Sequence, residues 1–578
     1  MRPILDPRDG DIEDDASSTK RRSFISLAGS LLAEISLPKL VAAWMLLIGF
    51  PALLLGAVPL LVSIWVASVF SQAANIFTEI APALLLAPLA ALGWFVGRPL
   101  LRLAETSFWS LNALLVQPVY ISFREGLQHL AERLFVSGMP NARRGSVRAA
   151  TAATAGGVIF LLGLGVIVLV WPASRWVVSL PDLASLPRWL LIMVANSVIL
   201  ISCYLAVAAV IWGYADTIMP QPRDFDAYFV GNADGRTWRV AHLSDIHTVA
   251  ERYGFRIESG RSGPRGNERL RRALACLDKV HAAHPLDVIL ITGDLTDAGR
   301  SAEWGEFFDA LTAYPQLAKR VIALPGNHDV NVVDRASPAR LELPTSPTKR
   351  LRQLRTMSAL GMLQGSRLQV VERRTGRLGP TLIETLKPHA DDMVTFADRG
   401  SFRLSRSVAA LWTSIFPLVL PPETIDGLGV VVLNSNAETH FSFTNALGLV
   451  SADQVRVLDT VLRQYPRACW IVTLHHHIIE YPQAAKELSE RIGTALINGS
   501  WFVRRLQRLT GRVVVMHGHR HIDWIGQCGG VLIVSAPSPV MNGSDGIDTY
   551  FYVHTLSVGS DGRLRLLEPE RIVVAGAA

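Results

Sequence analysis

The sequence predicts an all-α transmembrane domain of about four helices, followed by an α/β domain. The chain has 578 residues, of which 50% are hydrophobic and only 18% are charged, a polarity that is low for a wholly soluble protein. From about residue 236, short apolar runs end in polar clusters and alternate with helical patterns, as is typical of an α/β domain. The composition excludes a disordered, fibrous or disulfide-stabilised protein.

Four uncharged stretches are each long enough to cross the hydrocarbon core of a bilayer, which needs about 20 apolar residues. They lie at about 40–69, between Glu79 and Arg98, at 156–171 and at 189–214. The first contains Pro51 and Pro59, so we expect a kinked or tilted span. A fifth uncharged stretch, 106–123, carries serine, asparagine and glutamine side chains that are costly in lipid, so we expect it to be interfacial.

The basic residues around these stretches predict the orientation of the chain. Seven arginines lie in the connection between the second and third stretches, from Arg98 to Arg148. The turn after the first stretch has no lysine or arginine. Basic loops favour the cytoplasm, so four spans would place the N-terminal tail and the whole C-terminal domain on that side. A fifth span would reverse this arrangement. The net charge of +7 belongs to residues 236–578, because residues 1–235 contain equal numbers of basic and acidic residues.

These patterns divide the chain into four segments. We expect a disordered cytoplasmic tail at 1–38, a transmembrane helical domain at 39–215, a linker at 216–235 and the α/β domain at 236–578. The tail lacks the apolar run that a cleaved signal peptide requires. The four cysteines are far apart in sequence and suit a reducing compartment.

Five apolar runs of the α/β domain end in residues that can bind metal ions. The candidate ligands are Asp245, His247, Asp294, Asn327, His475, His519 and His521, with His328 beside Asn327. Asp, His and Asn side chains are ligands of borderline-hard divalent metals, and strand ends can direct several of them at one point. A carboxylate such as Asp294 can bridge two ions about 3.5–4 Å apart. Glycines at 293, 326 and 518 permit the tight turns that this requires.

The order of these clusters resembles the calcineurin-like metallophosphoesterases, whose motifs are D-x-H, G-D, G-N-H-[DE], an isolated His and G-H-x-H. The matching residues here are Asp245 and His247, Asp294, Gly326 to Asp329, His475, and Gly518 to His521. The resemblance covers about 238–574, and within the family it is most similar to the bacterial class III cyclic-nucleotide phosphodiesterases. It implies a sandwich of two β-sheets flanked by helices. Together with the apolar stretches, it leads us to expect an integral protein of the bacterial inner membrane.

The resemblance also implies roles for the motif residues. One divalent ion would bind Asp245, His247, Asp294 and His521, and a second would bind Asp294, Asn327, His475 and His519. His328 would be the catalytic acid. Iron, manganese and zinc all fit these ligands. Because three histidines are consecutive, His476 could be the ligand instead of His475. We expect Asp297, Asp329, His477 and His517 to support the ligands rather than to bind metal.

About 145 residues separate Asp329 from His475, which implies an insertion within 334–427. This insertion is basic, and two interpretations of its charge are equally weighted. The residues can form solvated helix faces, or they can attract anionic lipid headgroups beside a bilayer. The sequence has no aromatic-interleaved basic surface, so we expect no nucleic-acid partner. The basic residues are Lys349, Arg350, Arg352, Arg355, Arg367, Arg373, Arg374, Arg377 and Lys387.

The expected protein is therefore a membrane-anchored, dinuclear metal-dependent phosphoesterase that hydrolyses a phosphodiester by metal-activated hydroxide. Two alternatives remain open. The transmembrane domain suggests a lipid-linked phosphate or pyrophosphate as the substrate. A non-catalytic membrane scaffold or sensor would keep the same fold for binding alone.

Overall fold

The computed structural model describes residues 49–74, 119–135, 141–177, 186–230, 236–252, 266–331, 347–373, 375–439, 445–482, 496–541 and 547–576, with isolated positions between 6 and 95. The chain forms two compact units, and the division falls between Met219 and Pro220. The N-terminal unit is helical, and the C-terminal unit contains all of the strands in the described residues.

The helical unit contains four α-helices in the described residues: α1 Phe50–Ala74, α2 Ser122–Phe135, α3 Asn141–Val170 and α4 Leu186–Thr217. Three segments of these helices are long and apolar enough to cross a membrane: Phe50–Gln72, Gly145–Ala173 and Pro187–Thr217. The predicted span between Glu79 and Arg98 and most of the interfacial stretch 106–123 lie outside the described residues. The expected number of about four spans therefore stays a prediction. Helix α1 continues through Pro59 and past the predicted end at 69.

Small residues bring the backbones of α3 and α4 close together. A Cβ atom added at Gly156 would lie 2.8 Å from the carbonyl oxygen of Ala209, and one added at Gly213 would lie 3.0 Å from that of Ala152. Between apolar helices such close approach provides the van der Waals contact that the hydrophobic effect does not supply in lipid. The adjacent Gly157 differs, because an added Cβ atom there meets nothing within 4 Å.

We expect Gly156→Ala to lower the thermal unfolding midpoint of the detergent-solubilised chain, because its methyl group would force two backbones apart at a cost of roughly 1–3 kcal/mol. Gly157→Ala is the matched control, since it adds the same methyl group one residue away without a contact. Thermal unfolding followed by circular dichroism measures both variants. An equal effect of the two substitutions would contradict the close packing of α3 on α4.

The C-terminal unit contains two β-sheets, as expected. Its strands are β1 Arg223–Asp224, β2 Thr237–Leu243, β3 Val288–Ile291, β4 Val321–Ala323, β5 Gln369–Val371, β6 Leu378–Thr381, β7 Leu418–Leu420, β8 Leu428–Val432, β9 Cys469–Thr473, β10 Val513–His517, β11 Trp524–Cys528, β12 Val531–Ser535, β13 Thr549–Val558, β14 Leu564–Leu566 and β15 Glu570–Val574. One sheet has the order β14-β13-β2-β3-β4, with β15 also paired to β13. The other has the order β1-β11-β12-β10-β9-β8-β7-β5-β6.

The parallel strands form the centre of each sheet. In the first sheet β2, β3 and β4 are parallel, and in the second β8, β9, β10 and β12 are parallel. Strands β3, β4, β8, β9 and β10 are buried along their whole length. Continuous apolar runs of this kind are required where a parallel strand is covered on both faces. The carboxyl ends of neighbouring parallel strands open at one edge of their sheet, which is where the polar clusters follow.

Ten helices of the C-terminal unit lie within the described residues: α5 Glu268–Ala283, α6 Ser301–Thr312, α7 Pro315–Ala318, α8 Asn327–Val330, α9 Thr348–Gln364, α10 Leu382–Leu386, α11 Ala390–Arg399, α12 Phe402–Ile415, α13 Ala452–Gln464 and α14 Gly499–Leu506. Helix α13 illustrates their amphipathic packing. Its Ser451 cap accepts a hydrogen bond from the amide of Gln454, and Val455, Leu458 and Leu462 are buried on one face.

The predicted insertion is part of the core of this unit. Strands β5, β6 and β7 extend the second sheet beyond β8 in antiparallel pairing. Helix α9 carries three buried basic side chains whose nitrogen atoms donate to backbone carbonyls: Lys349 to Thr439 at 2.9 Å, Arg352 to Asn331 at 3.1 Å and Arg355 to Gly299 at 2.9 Å. The interpretation of these three residues as a solvated helix face is therefore wrong. Contact of the remaining basic residues with anionic lipid stays a prediction.

Candidate metal centre

The structure brings all eight predicted site residues into one cluster. Each follows the carboxyl end of a parallel strand. Asp245 and His247 follow β2, Asp294 follows β3, Asn327 and His328 follow β4, His475 follows β9, and His519 and His521 follow β10. Three of these strands belong to the first sheet and two to the second, so the cluster lies where the two sheets direct their strand ends toward each other.

Backbone conformation marks the same residues. In the described parts of the chain, the non-glycine residues with positive φ are five of the predicted ligands: Asp245 at 56°, His247 at 47°, Asp294 at 51°, His519 at 78° and His521 at 53°. The left-handed region costs a non-glycine residue of order 1–3 kcal/mol, although Asp and His tolerate it better than most. Such strain persists where the surrounding contacts impose it, and it concentrates at functional sites.

The first group of ligand atoms belongs to Asp245, His247 and His521, whose ligand atoms all lie within 4.8 Å of one another. The Oδ1 atom of Asp245 lies 3.3 Å from Nε2 of His521. The Nε2 atom of His247 lies 3.7 Å from Oδ2 of Asp294. Asp294 is therefore adjacent to this group but is not one of its three members.

The second group contains Asp294, His475 and His519, again with ligand atoms within 4.8 Å. The Nε2 atom of His475 lies at the centre of this second group. It is 3.3 Å from Oδ2 of Asp294, 3.0 Å from Nδ1 of His519 and 3.1 Å from Oδ1 of Asn327. The same Oδ2 atom of Asp294 thus faces both groups. This is the position that a bridging carboxylate must occupy.

These contacts fit a divalent cation. Ligand atoms that each lie about 2.1 Å from one ion are separated from each other by about 3.0–3.4 Å, close to the spacing observed here. The buried Oδ1 atom of Asp245 faces the Nε2 atom of His521 at 3.3 Å, without a hydrogen bond of good geometry to the described residues. Burying a carboxylate charge is costly, and a cation would reduce that cost. The donor set of carboxylate, imidazole and amide oxygen suits iron, manganese or zinc.

Two backbone carbonyls fix the orientation of histidine rings in the cluster. The Nδ1 atom of His475 lies 2.7 Å from the carbonyl oxygen of Thr292, and Nδ1 of His328 lies 2.8 Å from that of Asp297. A carbonyl oxygen can only accept, so each Nδ1 must carry the proton. The Nε2 atom of His475 is then the ring nitrogen that faces the other candidate ligands, and Nε2 of His328 is the ring nitrogen that can exchange a proton.

The structure also distinguishes the environments of His475 and His476, either of which could be the metal ligand according to the sequence. The Nδ1 atom of His476 lies 2.9 Å from Oγ of Ser435, and its ring packs so closely on Gly448 that a Cβ atom there would lie 2.5 Å from the imidazole. His476 belongs to neither ligand group. Of these two histidines, His475 is the one that directs a ring nitrogen at Asp294, at 3.3 Å.

The charges of Asp294 and His475 depend on each other. Burial disfavours the charged form of both side chains, but their mutual attraction outweighs it. The pKa of Asp294 is therefore held well below its usual range, and the pKa of His475 is raised to about 9. Without a cation, the proton on His475 balances part of the carboxylate charge. A metal ion must displace this proton, so its binding is linked to proton release.

Asp329 forms hydrogen bonds with the two loops that carry Asp294 and Asn327. Its Oδ1 atom accepts from the amide and the hydroxyl of Thr296 at 2.9 and 2.7 Å, and its Oδ2 atom accepts from the amide of Gly326 at 2.9 Å. It thereby joins the loop that follows β3 to the loop that follows β4. Burial, reinforced by the nearby charge of Asp294, raises the pKa of Asp329 to about 6.

Asp297 takes part in a third combination of side chains. Its carboxylate, His247 and His328 also have potential ligand atoms within 4.8 Å of one another. The Oδ1 atom of Asp297 lies 3.6 Å from Nδ1 of His247, on the side of the ring away from Asp294. A carboxylate in that position can orient a histidine ring and increase its basicity. The supporting role of Asp297 stays a prediction.

Sequence reasoning missed several neighbours of the centre. The side chain of Asn327 donates from Nδ2 to Oδ1 of Asn445 at 3.4 Å, which directs its own Oδ1 atom at His475. Asn445 belongs to no motif, so the sequence gives no signal for it. Arg520 stands inside the G-H-x-H motif, and its partner Glu480 follows the histidine run by three positions. Their adjacency to motif residues is the only signal that could have identified them.

We expect His475→Ala to lose bound metal, because it removes the nitrogen at the centre of the second group. His476→Ala should keep its metal and lose stability by roughly 1–3 kcal/mol, since it removes the hydrogen bond between the imidazole and Ser435 and opens a space beside Gly448. Metal content by mass spectrometry and the thermal midpoint measure the two effects. Loss of metal from His476→Ala at unchanged stability would transfer the ligand role to His476.

Part of the C-terminal unit matches a known protein family. Residues 239–378 match the family model of the calcineurin-like phosphoesterases. The matched region contains the candidate ligands that follow β2, β3 and β4, whereas the histidines that follow β9 and β10 lie beyond it. No curated protein matches the chain.

Several solved structures are similar to the chain. A Staphylococcus aureus protein assigned as a 5′-nucleotidase, solved with alpha-ketoglutarate, is 13% identical, with 59% of this chain and 55% of that chain covered and a TM-score of 0.31. A dimetal phosphatase from Danio rerio is 13% identical, with coverages of 58% and 99% and a TM-score of 0.32. A purple acid phosphatase from yellow lupin (Lupinus luteus) seeds is 12% identical, with coverages of 56% and 49% and a TM-score of 0.25. The chain spans about half the length of the first and third of these proteins.

Proposed function

We propose that this phosphoric ester hydrolase, which contains a calcineurin-like phosphoesterase domain, cleaves a phosphodiester at a dinuclear metal centre and is anchored in a membrane by its N-terminal helices. The position of Asp294 carries the proposal. Its Oδ2 atom lies 3.7 Å from the ring nitrogen of His247 in the first group and 3.3 Å from that of His475 in the second. A single carboxylate oxygen shared in this way suits two ions held side by side.

The residues divide into two ligand sets that share one member. Asp245, His247, Asp294 and His521 would hold one ion, and Asp294, Asn327, His475 and His519 would hold the other. When bound, the ions would polarise phosphate oxygens and lower the pKa of a water molecule. Five of the seven ligand side chains are buried, which strengthens the electrostatic interactions inside the site, whereas His519 and His521 are partly exposed.

His328 is placed to act as the general acid. Its ring lies edge-on to His247, with ring centroids 4.5 Å apart, and unlike Asp245, His247 and Asp294 it is partly exposed. The carbonyl of Asp297 holds Nδ1, so the proton that moves is carried by Nε2. A partly exposed nitrogen beside the ligands can reach the alkoxide that leaves when the phosphodiester bond breaks.

A phosphodiester is the substrate that the motif pattern favours, because the motifs are most similar to those of class III cyclic-nucleotide phosphodiesterases. A second candidate, a lipid-linked phosphate or pyrophosphate, is favoured by the three apolar helices of the same chain. The complete set of ligand side chains argues against a scaffold or sensor without activity, which would have no need to keep every one of them.

The proposed location is a bacterial inner membrane with the catalytic domain in the cytoplasm. Three long apolar helices support membrane anchoring, and the arginine-rich connection before α3 supports this orientation. Basic residues of the insertion other than those buried on α9 would add attraction to anionic lipid headgroups.

The function predicts that Asp294→Asn loses metal and hydrolysis together, because the neutral amide cannot offset the charge of two ions. Turnover of bis-p-nitrophenyl phosphate by the full chain in detergent, with and without added Mn²⁺, measures this. Asp561→Asn is the control, since Asp561 is exposed and lies on the turn before β14. An Asp294→Asn protein with two metals and normal turnover would overturn the dinuclear assignment. A panel of cyclic nucleotides and lipid phosphates then distinguishes the two substrate classes.

The acid role predicts that His328→Ala keeps its metal and loses alkyl phosphodiesterase activity by about 10²–10⁴-fold, the usual contribution of a positioned proton donor. The loss should be smaller with p-nitrophenyl esters, whose leaving group needs little protonation. His284→Ala, at an exposed position, is the control. Equal losses with activated and alkyl esters would exclude His328 as the acid.

A further inference from the structure

Arg520 separates two candidate ligands but does not face the metal centre. It lies between His519 and His521 in the loop that follows β10. Its guanidinium donates from Nη1 to Oε2 of Glu480 at 3.0 Å and lies 5.6 Å from the centre of the Tyr481 ring. The Arg520 side chain is only 5% exposed. An arginine buried in this way is occupied by its protein partners and is not available to a substrate.

The partners of Arg520 are themselves held by the second sheet. The Tyr481 hydroxyl lies 2.8 Å from Oγ of Ser535, the last residue of β12, and its ring stacks on His517 at 6.2 Å with planes 18° apart. Glu480 lies 3.4 Å from Nε2 of His477, whose ring is nearly parallel to that of His519 at 6.0 Å. Glu480 and Tyr481 therefore form a fixed wall on one side of the loop.

The opposite side of the loop is fixed by the ligands themselves. The amide of His519 donates to Oδ2 of Asp245 at 3.0 Å, and the amide of Gly518 donates to the carbonyl of His475 at 3.0 Å. A Cβ atom at Gly518 would lie 1.7 Å from Oγ of Ser244, so the loop cannot move in that direction. Both flanking histidines have positive φ, and this strain must be offset by contacts on either side.

We propose that Glu480, Tyr481 and Arg520 form a clamp that positions His519 and His521 and thereby sets the affinity of the centre for its metal ions. The inference rests on the proposed metal-dependent function. The three residues are positioning residues, because none of them belongs to a ligand group. The clamp joins the segment after β9, which supplies His475, to the loop after β10, which supplies the other two histidines.

The chemistry of the clamp depends on charge as well as shape. Removing one partner of a largely buried ion pair leaves the other charge uncompensated, which is far more costly than losing an exposed pair. Arginine also stacks its planar group on an aromatic ring, which lysine does less well. Changing Glu480 to glutamine keeps the volume of the side chain and removes only the charge.

We expect Glu480→Gln to weaken Mn²⁺ binding by the full chain about 10- to 100-fold, as is typical when a group that orients metal ligands is lost. The Mn²⁺ concentration for half-maximal hydrolysis of bis-p-nitrophenyl phosphate should rise by the same factor, while turnover at saturating Mn²⁺ is largely kept. Electron paramagnetic resonance of free Mn²⁺ measures binding without turnover. Arg520→Met should reproduce the effect, and Arg520→Lys should restore part of the affinity.

The matched control is Glu570→Gln, which removes the ion pair between Glu570 and Arg239, 2.8 Å apart, in the other sheet. It should leave Mn²⁺ affinity unchanged. Wild-type affinity in either charge-removing variant, Glu480→Gln or Arg520→Met, at an unchanged unfolding midpoint would overturn the clamp and leave the proposed function intact. Absence of Mn²⁺, Zn²⁺ and Fe²⁺ binding by the wild-type chain would overturn the proposed function, and the clamp with it.

Discussion

The carboxylate of Asp294 is the interaction on which the arrangement of the site depends. One of its oxygens faces the ring nitrogens of His247 and His475, which come from different sheets. The other accepts the backbone amide of His328 at 2.8 Å. Without this charge, several imidazoles would converge in a buried space with little to offset their mutual repulsion when they are protonated. The shared anion makes this convergence of side chains from the two sheets favourable.

Much of the site could be predicted from the sequence because parallel strands place their carboxyl ends at one edge. The apolar runs before Asp245, Asp294 and His475 are strands in the structure, so the polar residues after them had to lie near one another. The choice between His475 and His476 could not be predicted, since adjacent residues after a strand differ only in their tertiary contacts. The hydroxyl of Ser435, which is distant in sequence, lies within hydrogen-bonding distance of the His476 ring.

The insertion shows where composition is a poor guide. Its basic residues suggested an exposed surface, yet Arg352 and Arg355 are among the largest fully buried side chains of the chain's described parts. Their guanidinium groups donate to the carbonyls of Asn331 and Gly299, which follow other motifs of the domain. Long cationic side chains can be buried in a core when backbone carbonyls there accept their hydrogen bonds. The sequence does not identify which carbonyls will do so.

The hydrogen bond between the His519 amide and the Asp245 carboxylate joins residues 274 positions apart. During synthesis the apolar helices emerge first, followed by Asp245 and His247, long before the loop after β10 exists. Domains fold as their chain becomes available. The side chains of Asp245 and His247 therefore lack their partners from the loop after β10 until that loop has been synthesised. The ligand set is therefore incomplete until the chain has been synthesised past His521. In the proposed metal centre, metal binding by the full set of ligands thus follows the synthesis of the three long apolar helices.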